Sequence, residues 1–225
     1  MLTLAFDVLS PFLSLAILQD EEVLFKKAIK EKSRHSELLV CEIENLLNKV
    51  GVWYQDLNLI ATTITPGSFT SSRIALVTAK TLKLSLNVDL ALLDATQVLA
   101  FKNLKTDQKN IFVIMDGFLG EYYVAGYLVE ENKMQILQKT QICKLEEVSS
   151  VINKYSSSIL VCGNAKKALI NAKLDTNCQI LCNGYDQIDA VDIAKYAILQ
   201  TKMSQNSQSL EMSYLRKPKI EKRKK

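Results

Sequence analysis

Apolar and polar residues alternate at the start of the chain in the pattern of half-buried strands. Leu2 to Phe6 and Val23 to Ile29 alternate, Leu13 to Leu18 is a denser apolar run, and Asp20-Glu21-Glu22 supplies the polar turn between the second and third. The period then changes. From Ser33 onward Leu39, Ile43, Leu46, Leu47 and Val50 fall within about a 100° arc at helical spacing, and Gly51 stands where a helix C′ residue is expected. These positions predict a helix over Ser33 to Val50. Leu57 to Ile64 reads as a strand, Pro66-Gly67 breaks it, and Ser68 is placed to cap a second helix over Phe69 to Leu86 by accepting a backbone N–H bond. A short strand near Val88 to Leu92 and a helix from about Asp94 to Phe101 follow.

The polar stretch from Lys102 to Asn110 then interrupts the pattern, and the opening arrangement returns. Three strands, Ile111 to Met115, Glu121 to Val129 and Lys133 to Lys139, are joined by turns at Gly117 to Gly120 and Glu130-Glu131-Asn132. A helix over Leu145 to Tyr155, a buried strand over Ser158 to Cys162, a turn at Gly163-Asn164, a short helix, a strand over Cys178 to Leu181 and a helix over Ile188 to Met203 complete it. A three-strand meander followed by helix, strand and helix, occurring twice, predicts an α/β protein of two similar halves, the plan of the actin, sugar-kinase and acetate-kinase (ASKHA) superfamily. We expect one half over residues 1–103, a second over 104–215, and a separate basic tail over 216–225.

Composition adds bounds. At 48% hydrophobic and 23% charged, 225 residues suffice for one large core or two small ones. The opening segment has no basic flank or cleavage site, and no uncharged apolar run reaches the roughly 18 residues of a membrane span, so a cytoplasmic protein with no membrane association is expected. Cys41, Cys143, Cys162, Cys178 and Cys182 are scattered, odd in number and without a C-x-x-C pair, which fits free thiols and no zinc site. The net charge of +4 resides in the tail: residues 216–225 hold seven basic side chains and one acidic, leaving twenty-one basic against twenty-three acidic elsewhere, a net of −2. The body therefore lacks a nucleic-acid footprint, whereas the tail is suited to sequence-independent phosphate contacts.

Chemistry could sit at two aspartates. In nucleotide-hydrolysing members of the superfamily, an acidic residue ending the first strand adjoins a small polar phosphate turn. Here Asp7 is followed by Val8 and Leu9, which offer no hydroxyl and obstruct backbone approach, so Asp7 reads as structural. Asp116, before Gly117, closes the first strand of the second half in the corresponding position. Seven glycines in the chain are too few for glycine-rich phosphate cradles, and there is no Walker A sequence. The sole histidine, His35, reads as a helix-start or interface residue, because no nucleophile accompanies it.

The segment Pro66-Gly67-Ser68-Phe69-Thr70, continued by Arg73-Ile74, Ala79-Lys80 and Leu82, resembles the hallmark of the TsaB (YeaZ) family of bacterial tRNA-modification proteins. Arg34-His35-Ser36-Glu37 and the terminal Tyr214-Leu215-Arg216 also resemble that family, as do Asp116, Glu121 and Tyr123 of its Asp-Ala-Arg-x-x-Glu-Val-Tyr motif. The chain departs from the pattern at Val8-Leu9, Thr65, Ser71, Gly117, Phe118 and Met212. Catalytic TsaD paralogues carry a metal-binding His-x-x-x-His after the second helix, and the comparable positions here are Ala95 and Leu99.

The resemblance implies a non-catalytic subunit with no metal and no cofactor of its own, ATP or ADP belonging to the assembled complex. It would form a homodimer when alone and would pair with TsaD, supporting formation of N6-threonylcarbamoyladenosine at position 37 of ANN-decoding tRNAs. TsaE would dock on that pair, and tRNA would bind only in the complex. The first two helices would supply the interface through His35, Leu38, Leu39, Glu42, Phe69, Arg73, Leu76, Lys80 and Lys83. On the second helix, Leu76 is expected to project between Lys80 and Lys83, with Ile74, Val77, Thr81 and Leu82 inward. Arg216, Lys217, Lys219, Lys222 and Arg223 are the candidates for tRNA contact. The rival reading is a functional ATPase or small-molecule kinase of the actin-like superfamily, with Asp7 and Asp116 facing a metal.

Overall fold

The computed structural model describes residues 1–30, 34–105, 109–130, 133–155, 158–167, 180–181 and 186–203. The first half contains β1 (Leu2–Asp7), β2 (Leu13–Gln19), β3 (Glu22–Ile29), α1 (His35–Val50), β4 (Leu59–Thr65), α2 (Phe69–Leu86), β5 (Asp89–Asp94) and α3 (Ala95–Lys102). The second contains β6 (Asn110–Asp116), β7 (Glu121–Glu130), β8 (Lys133–Lys144), α4 (Leu145–Ile152), β9 (Ile159–Cys162), β10 (Ile180–Leu181) and α5 (Ala190–Met203). The sheets have orders β3-β2-β1-β4-β5 and β8-β7-β6-β9-β10, the same topology twice. In each, the meander is antiparallel and the last two strands run parallel to the first strand of the half. The repeat legible in the sequence is thus a repeat of structure. The expected short helix after Asn164 begins at Lys166 and Lys167, which are helical, and its continuation lies outside the described residues, as do Cys178, Cys182 and the tail.

Layers follow from the alternation within strands. Leu2, Leu4 and Phe6 of β1, with Leu13, Leu15 and Ile17 of β2, point to one face, where they meet Leu39, Ile43, Leu46 and Leu47 of α1 and Ala75 and Ala79 of α2. Burying each large side chain of this set contributes about 1.5–3 kcal/mol. The opposite face carries small residues. Ala16, Ala5, Ala61 and Ala91 are paired in sequence across β2, β1, β4 and β5, forming one row of alanines. That row makes a shallow trough, and α5 lies against it, bringing Ala190, Ala194 and Ala197 of its own into the same cluster. Although α5 follows the second half in sequence, it packs on β1, β2 and β4 of the first. Ile111, Val113, Ala125 and Tyr127 of the second sheet complete this central core, so α3 and α5 are shared by both halves. The outer face of the second sheet is covered by Val148, Val151 and Ile152 of α4.

Polar ties cross the same seam. The backbone N–H of Ala190 donates to Ser14 Oγ (2.9 Å), and Lys102 of α3 donates to Asp192 of α5 (2.6 Å) and to the Gln187 carbonyl (3.0 Å). Asp94 caps α3 by accepting from Thr96 N (2.7 Å) and Thr96 Oγ1 (2.6 Å). Its other oxygen accepts from Thr140 Oγ1 of β8 (3.3 Å), and Thr96 Oγ1 lies 2.6 Å from Tyr127 Oη. Burial raises the Asp94 carboxyl above the ordinary carboxylate range, and hydrogen bonds from Thr96 and Thr140 oppose the shift.

Two outcomes follow. Ala61→Leu forces extra methylenes into the alanine trough and is expected to cost about 1–3 kcal/mol, read from urea unfolding midpoints. Because the Asp94 carboxyl titrates higher folded than unfolded, its contribution is present below the ordinary carboxylate pKa and is lost as pH rises through the raised value. Asp94→Asn keeps the helix cap and cannot ionise. It should therefore melt higher than the parent near neutral pH, with the gap closing on acidification; a gap constant with pH would contradict the assignment.

Candidate functional site

The strand-to-helix elbow predicted at Pro66-Gly67 joins β4 to α2. Ser68 occupies the N-cap with an extended backbone, but its side chain makes no capping bond; only its carbonyl is engaged, by Ser72 N (2.9 Å). The expected capping bond is thus corrected: Phe69 and Thr70 are exposed, and water can reach the N–H groups of that first turn. Leu9 covers the elbow so closely that a Cβ at Gly67 would lie 2.7 Å from its side chain.

Asp7 sits beneath Leu9, wholly buried. One carboxylate oxygen accepts from Leu9 N (3.2 Å) and Thr63 Oγ1 (2.5 Å), and the other from Ser10 N (3.1 Å). The amides of the turn, the groups a phosphate would need, are thereby occupied by the protein's own carboxylate. In the second half Asp116 Oδ1 accepts from Phe118 N (2.8 Å), again the amide two residues on. The residues present at both turns do not fit a nucleotide's phosphates. His35 belongs to this region too: its Nδ1 donates to the Val8 carbonyl (3.3 Å), since a carbonyl can only accept, and ties the start of α1 to the β1–β2 loop. Its Nε2 is buried with no hydrogen-bond partner among the described residues.

The tip of the β6–β7 hairpin is unusual. Phe118, Leu119 and Gly120 have successive φ values of 62°, 57° and 74°, all left-handed, and Glu121 N closes the turn onto the Phe118 carbonyl (3.2 Å). Bulky residues rarely adopt this region, and Phe118 and Leu119 gain no burial in return, Leu119 being 79% exposed.

The helical face is arranged differently from the sequence expectation. Leu39 is fully buried, His35 is buried, and Leu38 and Leu76 pack half-buried against the first-half core, so His35 and Leu39 present no open surface. Glu42 pairs with Lys27 of β3 (2.5 Å), and Lys83 donates to the Val88 carbonyl (3.4 Å). The inward stripe of α2 consists of Ser72, Ala75 and Ala79, whereas Val77 is 63% exposed and Thr81 is exposed. Alanines let the helix approach the sheet more closely than the larger Val77 would, so the helix turns them inward. What the sequence reading missed is that Val77 and Leu84 (81% exposed) lie outward on α2 as Phe69 does; Val40 of α1 is exposed as well. A signal was present: apolar residues surround α2 on every side, the mark of a helix covered on more than its sheet face. Arg73 and Lys80 flank that outer side, with the Arg73 guanidinium 3.8 Å from the centre of the Phe69 ring. Glu121 and Tyr123 sit on β7 beside Gly117, where a Cβ would approach the Glu121 carbonyl to 2.9 Å. Arg216, Lys217, Lys219, Lys222 and Arg223 lie outside the described residues.

Two like-ordered halves, each with an aspartate closing its first strand, give the actin-like fold. The chain belongs to the family described as "TsaD: tRNA N6-adenosine threonylcarbamoyltransferase", which matches residues 23–220, and within it to the TsaB (YeaZ) proteins. It is 25% identical over 168 residues to the tRNA threonylcarbamoyladenosine biosynthesis protein TsaB of Buchnera aphidicola subsp. Schizaphis graminum, covering 74% of this chain and 80% of that one. Among solved structures it is similar to an uncharacterised protein, itself similar to peptidase YEAZ, from Pseudomonas aeruginosa (TM-score 0.79, 19% identity, 96% and 99% of the chains covered). A ROK family protein of Streptococcus pneumoniae shares the fold at TM-score 0.54 and 10% identity, covering 91% of this chain and 100% of that one. No helix among the described residues is long and apolar enough to cross a membrane.

The hairpin tip yields an expected outcome. Leu119→Asn replaces a bulky residue in a left-handed conformation with one that tolerates it, and should raise stability by about 1 kcal/mol in chemical unfolding. A loss of similar size would mean that the leucine is supported by packing.

Proposed function

We propose that this chain is a non-catalytic subunit in the biosynthesis of threonylcarbamoyladenosine in tRNA, acting through a protein surface. The observation that carries the reading is the occupied turn at Asp7, in a chain of the TsaB family: its carboxylate fills the place of a phosphate. The chain alone then binds no nucleotide, and ATP or ADP belongs to the assembled complex. The partner is TsaD, which modifies adenosine 37 of ANN-decoding tRNAs, and TsaE docks on the pair. The outer stripe of α2, with Val40 of α1, is the face offered to TsaD, or to a second copy when the chain is alone. Exposed apolar groups flanked by Arg73 and Lys80 support that role.

Val77→Glu should weaken association with TsaD at least tenfold, measured by calorimetry, while folding stability stays within about 0.5 kcal/mol, as for other exposed substitutions. Leu76→Glu, on the packed side, should instead lower stability. Unchanged association in Val77→Glu would exclude this face, and micromolar Mg-ATP binding by the isolated chain would favour an ATPase or kinase.

The basic tail is proposed to contact tRNA within the complex. Removing residues 219–225 takes away five positive side chains there, and should leave TsaD association intact while flattening the salt dependence of tRNA binding. An unaltered slope would return the tail to a solvated end.

A further inference from the structure

The first sheet ends on a strand with an open side. Among the described residues β3 pairs only with β2, so its far edge has no strand neighbour. Val23 and Leu24 stay 38% and 39% exposed, and Glu22, Lys26 and Lys27 are exposed around them. Leu24, where β3 bulges, has no partner on β2. An open edge is a template for one more strand. The charges along this one are segregated, with Glu21 and Glu22 at its start and Lys26, Lys27 and Lys30 toward its end. Edge lysines keep foreign strands away, so a strand that belongs here has to answer both signs in the right order.

A segment with that order follows α5. The helix ends at Met203, and Lys202 lies 3.4 Å from Glu21, so the chain leaves α5 beside the start of β3. Beyond a polar stretch from Ser204 to Ser209 comes Glu211-Met212-Ser213-Tyr214-Leu215-Arg216-Lys217, free of glycine and proline and alternating over its first four residues. Pro218 then ends the run, having no N–H to donate. Laid antiparallel to β3 with Arg216 opposite Glu22, the segment sets Lys217 opposite Glu21, Leu215 opposite Val23, Tyr214 opposite Leu24 and Glu211 opposite Lys27. Three pairs of opposite charge and two apolar pairs coincide in this one register. Run parallel over the same residues, Glu211 would face Glu22 and Arg216 would face Lys27, repulsive at both ends. The connection is long enough: Met203 to Glu211 can reach about 28 Å, whereas Glu21 to Lys27 spans about 20 Å of strand. We infer that residues 211–217 add to the open edge of β3, within the same chain, as an antiparallel sixth strand of the first sheet. The pairing anchors the root of the basic tail and leaves residues 219–225 beyond Pro218, so it depends neither on tRNA contact by those residues nor on the face offered to TsaD.

The test is amide hydrogen exchange in the full chain, read residue by residue by NMR. Amides within 211–217 are expected to exchange at least tenfold more slowly than those of 219–225. Removing residues 211–225 should speed exchange of the outward amides of β3 at least tenfold and leave β1 unchanged. Glu22→Lys should speed exchange within 211–217 at least fivefold, and adding Arg216→Glu should restore the slow rate; this charge exchange decides alone if the shortened chain fails to fold by circular dichroism. Fast exchange within 211–217 in the full chain, unchanged β3 exchange in a folded shortened chain, or no restoration in the double variant would each overturn the inference. Slow exchange regained at β3 of the shortened chain on mixing with full chain would assign the strand to a second copy, and would overturn it too.

Discussion

The four alanines that cross the first sheet set the terms for the rest of the molecule. Ala16, Ala5, Ala61 and Ala91 leave the inner face shallow enough for α5 to lie close, and α5 answers with alanines of its own. Interiors are packed near crystal density, so a helix approaches a sheet only as nearly as the facing side chains permit. Once α5 is seated, its other side and α3 can receive Ile111, Val113 and Tyr127 of the second sheet. The two halves therefore share a core. The relative placement of the two aspartate turns depends on that contact.

The turn that follows the first strand of each half has backbone amides within reach of the aspartate that closes the strand. Here the aspartates turn back onto those amides, at Leu9 and Ser10 in one half and at Phe118 in the other. Leu9 then seals the first turn against Gly67, and His35 fixes its carbonyl side to α1. Helix α2 has two distinct sides: one holds the sheet through small residues and the other displays Val77 and Leu84.

Much of the fold could be read from the letters because strands and helices announce themselves by period. The alternation of Leu2 to Phe6, the helical arc of α1 ended by Gly51, and the recurrence of the meander gave the elements and the two-half plan. The inner and outer sides of α2 could not be read the same way. With Ile74, Ala75, Leu76, Val77, Ala79 and Leu82 around the helix, hydrophobicity alone ranks valine above alanine for burial, whereas the sheet selects the residue that permits the closest approach. The place of Asp7 at the end of a strand was legible, but its bond from Thr63 needed β4 beside β1. The alanine row was invisible for a like reason: residues 5, 16, 61 and 91 become neighbours only through strand register, which no local pattern carries.

Ser14 and Ala190, hydrogen-bonded across 176 positions of sequence, bear on how the chain is made. A ribosome delivers β1, β2 and β4 long before α5, so the alanine trough waits uncovered while more than a hundred residues are synthesised. The first half is in that interval a sheet with one finished side, sheltered by α1 and α2 and open on the other. Contacts of such long range come late and slow the acquisition of the native state. Unlike an array of autonomous domains, which mature one after another as they emerge, these two halves complete their shared core only when α5 packs against β1, β2 and β4.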